Sequence, residues 1–70
     1  MTSLEMIQFR RRFGLNQREA AIELGCSARS IYNYERGIGK IPKMVGMAAS
    51  AYAMGLPEYG AMLVQHNQKL

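Results

Sequence analysis

Four glycines, Gly14, Gly25, Gly37 and Gly55, cut this chain into short stretches of helical periodicity, and that punctuation narrows the choice of fold. Glycine enters the left-handed backbone region that ends helices without a Cβ clash. Between the glycines, apolar residues recur at helical spacing and strand signals are nearly absent. A first helix is predicted from about Ser3 to Arg12, with Met6, Ile7, Arg10 and Phe13 on its inner side. Asn16 is a good N-cap for a second helix, Gln17 to Leu24, with Glu19 at the capping-box position. Ser27 caps a third, Ala28 to about Arg36, whose inner face reads Ile31, Tyr34 and Glu35. Residues 37–41 form a loop, and Pro42 suits the first position of a fourth helix that runs to about Met54. Pro57 starts a fifth, to about Asn67. The expected fold is all-α, a compact bundle of five short helices forming a single domain over residues 1–70.

A chain of 70 residues has little core to spare. Its lone cysteine, Cys26, allows no internal disulfide, and no Cys/His cluster supplies a structural metal. Stability is therefore expected from tight helix packing helped by self-association. Cys26 reads as a small buried filler beside a turn. No apolar run reaches the roughly 18 to 20 residues that span a bilayer. The N-terminus lacks the basic-then-apolar order of a secretion signal, so the expected location is the cytoplasm, with no membrane partner. An enzyme is disfavoured on inventory: one histidine, one cysteine, no aspartate and no phosphate-binding glycine loop. No catalytic residue, cofactor, metal or small-molecule ligand is expected.

Charge is unevenly placed. Residues 1–43 carry Arg10, Arg11, Arg12, Arg18, Arg29, Arg36, Lys40 and Lys43 against Glu5, Glu19, Glu23 and Glu35, whereas residues 44–70 carry only Lys69 and Glu58. The whole excess of +4 thus sits in the first part. A basic part joined to a neutral, apolar part suggests one surface for a polyanion and another for self-association.

The stretch from Gln17 to Tyr34 narrows the polyanion. Two helices that cross over a short turn need a small residue where their axes approach, a turn residue tolerant of positive φ, and a branched apolar anchor facing back. Ala21, Gly25 and Ile31 supply these at the helix-turn-helix spacing, over residues 17–36. The chain here resembles the Cro/C1-type (XRE-like) family of phage and bacterial repressors. The resemblance covers about residues 5–65 and is carried by Leu15-Asn16-Gln17, Ala20-Ala21, Leu24-Gly25-Cys26-Ser27, Ile31 and Tyr34-Glu35-Arg36-Gly37. It implies a lambda-repressor-like fold and a dimeric, sequence-specific repressor of transcription, acting as an autoregulator on a palindromic operator in double-stranded DNA. Ala20-Ala21 followed by Arg29 and Tyr34 also looks like small anti-CRISPR-associated repressors. One departure matters: the family usually has leucine where this chain has Ala20, and Met6, Phe9 or Phe13 is expected to fill that volume.

With Ile31, Tyr34 and Glu35 inside, Arg29, Tyr32, Asn33 and Arg36 share the opposite face of the third helix at i, i+3, i+4 and i+7. An arginine can fork onto guanine O6 and N7, an asparagine can pair with adenine N6 and N7, and Ala28 is short enough to meet a thymine methyl. Ala28, Arg29, Tyr32 and Asn33 are the expected base contacts. Gln17 is placed on a phosphate by the resemblance. Ser30, Arg36, Gly37 through its backbone, Lys40 and Lys43 are the other candidates for the DNA backbone. Arg10 and Glu35 both fall on inner faces, and the family often pairs an arginine and a glutamate there. They are read as a partly buried ion pair that locks the first helix to the third.

One recognition helix reads only a few base pairs, so a two-fold homodimer with half-sites roughly 34 Å apart is expected. The fourth helix is apolar almost all round, and the fifth adds Tyr59, Met62, Leu63 and His66 at helical spacing. Dimerisation is assigned to these C-terminal helices, about residues 42–67, with Met62 and Leu63 as anchors. The main alternative is an antitoxin or protein-interaction module on the same fold, its Met-rich C-terminal part holding a partner. RNA binding has only the exposed aromatic Tyr32 in its favour.

Overall fold

The computed structural model describes residues 1–60. Among these the chain is all-helical, with α1 Ser3–Arg12, α2 Gln17–Leu24, α3 Ala28–Glu35 and α4 Lys43–Ala53. None of these helices is long and apolar enough to cross a membrane. Of the expected fifth helix, residues 59 and 60 have helical backbone, and Met62, Leu63 and His66 lie outside the described residues.

Capping explains where the first three helices begin. Thr2 Oγ1 accepts from the Glu5 N–H at 3.1 Å while Glu5 Oε1 accepts from the Thr2 N–H at 2.8 Å. Asn16 and Glu19 repeat this reciprocal box at 2.8 and 2.9 Å. Each box satisfies two backbone donors that the helix itself leaves without partners. Ser27 Oγ accepts from the Ser30 N–H at 3.0 Å and opens α3. α2 ends at Gly25, whose φ of 73° lies in the left-handed region. A Cβ there would meet nothing within 4 Å, so glycine answers to backbone strain and not to crowding. At α4, Pro42 stands just before the helix as its N-cap, one place earlier than predicted, with its φ of −59° already suited to helix entry.

α3 packs on α2 and α1, and α4 packs on α2. The core holds Met6 and Phe9 from α1, Ala20, Ala21 and Leu24 from α2, Ile31 from α3, and Val45 and Ala49 from α4. Met6, Ala20 and Ile31 are completely covered. The inner face of α1 therefore turns on Met6 and Phe9, whereas Ile7, expected inside, is only half-buried. Phe9, Phe13 and Tyr52 form an aromatic trio with ring centroids 5.2 to 5.7 Å apart, joining α1 to α4 in tilted and edge-on contacts. Cys26 is half-buried against the core, and desolvation pushes its thiol pKa up.

Candidate nucleic-acid interface

α3 is anchored from beneath before it presents anything outward. Ile31 enters the core, and Tyr34 packs partly buried against it. Glu35, at the end of the helix, meets Arg10 of α1 in a two-pronged contact: Arg10 Nε donates to Oε2 at 2.6 Å and Nη2 donates to Oε1 at 2.8 Å. The side chains are 23% and 9% exposed. Parallel N–H···O⁻ bonds of this kind are stronger than neutral ones and fix the relative orientation of the two groups. The guanidinium also donates to the Leu15 carbonyl at 3.4 Å. Hydrogen bonding to Glu35 raises the pKa of Arg10, and hydrogen bonding from Arg10 lowers that of Glu35, against the opposing effect of burial.

Gln17 belongs to this cluster. Its Nε2 donates to Glu35 Oε1 at 3.3 Å, so the side chain assigned by resemblance to a phosphate is turned toward the ion pair. The first residue of α2 is thereby tied to the last residue of α3. Spacing gave no hint of this contact, because it spans 18 positions and depends on how the helices stack.

The outward side of α3 carries Ala28, Arg29 and Tyr32 exposed and Asn33 half-buried, with Arg36 exposed at the C-cap. Arg29 and Arg36 lie over Tyr32, their guanidinium carbons 5.5 and 5.4 Å from the ring centroid. Arg36 Nη1 also donates to the Tyr32 hydroxyl at 3.1 Å. Two cations and an aromatic ring therefore form one exposed cluster. Lys40 and Lys43 are exposed beyond it, on the loop and at the start of α4.

Two expected backbone contacts are differently employed. The Gly37 N–H donates to the Tyr34 carbonyl at 3.2 Å, so that amide is not available to a phosphate, and the value of Gly37 lies in its φ of 75° at the chain reversal. The Ser30 hydroxyl sits 2.9 Å from the Ser27 hydroxyl within the N-cap of α3.

Elsewhere, α1 and α4 border a solvent-open groove of about 770 Å³ lined by Phe9, Phe13, Ile41 and Met47, with Glu5 and Arg12 also on its wall. Glu5 is occupied in the α1 capping box, and hydrogen bonding from Thr2 lowers its pKa. No group of three or more His, Cys, Asp or Glu residues placed to hold a metal occurs among the described residues. No protein family, curated protein or solved structure matches this chain.

Proposed function

We propose that this chain is a sequence-specific DNA-binding protein of the Cro/C1 type, with α2, the Gly25–Ser27 turn and α3 acting as a helix-turn-helix. The reading rests on one observation: the outward side of α3 gathers Arg29, Tyr32 and Arg36 in an exposed cationic cluster while its inward side is held by Ile31 and the Glu35–Arg10 pair. A rigid helix with forked donors on its free face suits the major groove, where arginine reads guanine and asparagine reads adenine. In this reading Arg29, Asn33 and Ala28 meet base edges, and Arg36, Lys40 and Lys43 meet phosphates.

The protein binds as a homodimer and represses its own promoter from a palindromic operator in the cytoplasm. Support for self-association comes from α4, which buries only Val45 and Ala49 and leaves Met44 79% and Met47 60% exposed. Selection of bound sequences from a random duplex pool is the direct test. Enrichment of a palindrome, with guanines placed one turn apart in its half-sites, is the expected result, and a pool with no enriched sequence overturns the proposal.

The same exposed methionines favour a second reading, an antitoxin or protein-interaction module, because methionine surfaces adapt to varied partners. The selection experiment separates the two.

A further inference from the structure

Tyr32 stands one helical turn after Arg29 and one turn before Arg36, and both guanidinium groups lie within cation–π range of its ring, at 5.5 and 5.4 Å. Its hydroxyl, the polar group that a tyrosine offers a base edge, already accepts from Arg36 Nη1 at 3.1 Å. A guanidinium held over a ring by its charge keeps N–H donors free for other partners: Arg29 makes no hydrogen bond among the described residues, and Arg36 uses only Nη1 on the Tyr32 hydroxyl. Two cations on one side of a short helix repel each other, and the electron-rich ring face between their positions offsets that repulsion. Long arginine side chains also lose rotamer freedom on binding, so arginines held in place beforehand lose less.

We propose that Tyr32 is a positioning residue: it aligns Arg29 and Arg36 for the duplex before contact, and does not itself read a base. The proposal rests on the DNA-binding reading above and replaces the base-contact role that the sequence pattern assigns to Tyr32. Because Tyr32 is 38% exposed and outside the core, its replacement leaves the fold in place.

The test is a coupling experiment on the duplex selected by the wild-type protein. Tyr32→Phe keeps the ring and loses one hydrogen bond, and its affinity stays within about threefold of wild type. Tyr32→Leu removes both cation–π contacts and binds about tenfold more weakly. In a chain already carrying Arg29→Ala and Arg36→Ala, Tyr32→Leu costs less than about twofold, because nothing is left to align. In the free protein, the side-chain protons of Arg29 and Arg36 show upfield ring-current shifts that persist in Tyr32→Phe and vanish in Tyr32→Leu.

A Tyr32→Leu loss that is undiminished in the background lacking Arg29 and Arg36 overturns the proposal by showing that Tyr32 touches DNA itself. So does wild-type affinity for Tyr32→Leu, or the absence of ring-current shifts in the wild type. Those failures leave the DNA-binding reading standing. A wild type that selects no duplex overturns that reading, and the positioning role with it.

Discussion

Arg29 and Glu35 sit six positions apart on α3 and do opposite work. Arg29 is exposed and makes no hydrogen bond among the described residues, whereas Glu35 is nearly covered and accepts from Arg10 and Gln17. On the proposed DNA-binding function, Arg29→Ala should leave the thermal midpoint within about 2 °C of wild type and weaken cognate DNA binding by about 1–3 kcal/mol, with little change on unrelated duplex. Parallel titrations on both duplexes check this, and equal losses on the two would reassign Arg29 to the phosphates. Glu35→Gln leaves the Arg10 charge without its partner. The cost is about 2–3 kcal/mol, below the ~3–5 kcal/mol typical of a fully buried pair because Arg10 keeps some contact with water. The pair also sets an acid limit. The Glu35 carboxyl titrates below its ordinary value in the folded state, so its contribution is complete above the ordinary glutamate pKa of about 4.3 and is lost as pH falls through the folded value. Circular-dichroism melts across pH 2 to 7 should show the wild-type midpoint falling more steeply in acid than that of Glu35→Gln. The variant keeps the acid dependence arising from Glu5, whose pKa is lowered by hydrogen bonding from Thr2.

Among the elements, the legible parts of the fold were those set by local chemistry. Asn16 with Glu19, Ser27 before Ala28, and Gly25 after Leu24 are signals contained within a few residues, and α2 and α3 begin where those signals place them. Less legible were contacts decided by how helices stack, apart from the Arg10–Glu35 pair, which the inner-face spacing and the family resemblance together suggested. The rotation of α1 that buries Phe9 and leaves Ile7 half-covered follows from the aromatic contacts with Tyr52, over forty positions away, and no local pattern contains it. The turn of Gln17 toward Glu35 is of the same kind. Ala20 shows the consequence for packing. Ala20 is completely covered within the core cluster that also holds Met6 and Phe9, so a larger side chain there must displace packed neighbours. Ala20→Leu should therefore destabilise by about 1–3 kcal/mol through overpacking. In a domain of this size that lowers the midpoint by roughly 4–8 °C for each kcal/mol. A rise in the midpoint would mean that α2 lies over an unfilled space.

At the scale of the molecule, exposed apolar side chains occur in both parts of the chain, but only beyond Lys43 do they occur in a stretch without charge. The net charge of +4 is carried by residues 1–43, and beyond Lys43 no charged residue appears until Glu58. That neutral span holds Met44, Met47, Met54 and Leu56, all exposed, and is followed by Tyr59 at 76%. Two copies of a cationic protein repel each other at every basic face, so association is cheapest through the uncharged one. The palindromic operator proposed above would impose the same requirement from the other side, since two recognition helices would have to reach successive major-groove faces with their backs together. Placing a charge at the edge of this surface tests both demands. Tyr59→Glu removes a ring that is exposed in the single chain, so the melting midpoint changes little at concentrations where both proteins are monomeric. Interface aromatics are the side chains whose loss most weakens association, so the monomer–dimer dissociation constant should rise by at least about tenfold in sedimentation equilibrium. Operator binding should weaken in step and become second-order in protein over a wider concentration range, while unrelated duplex, bound through phosphate contacts alone, should be held nearly as before. A wild-type chain that sediments as a monomer at high micromolar concentration, with and without operator, would exclude the dimer and require α3 to read DNA singly.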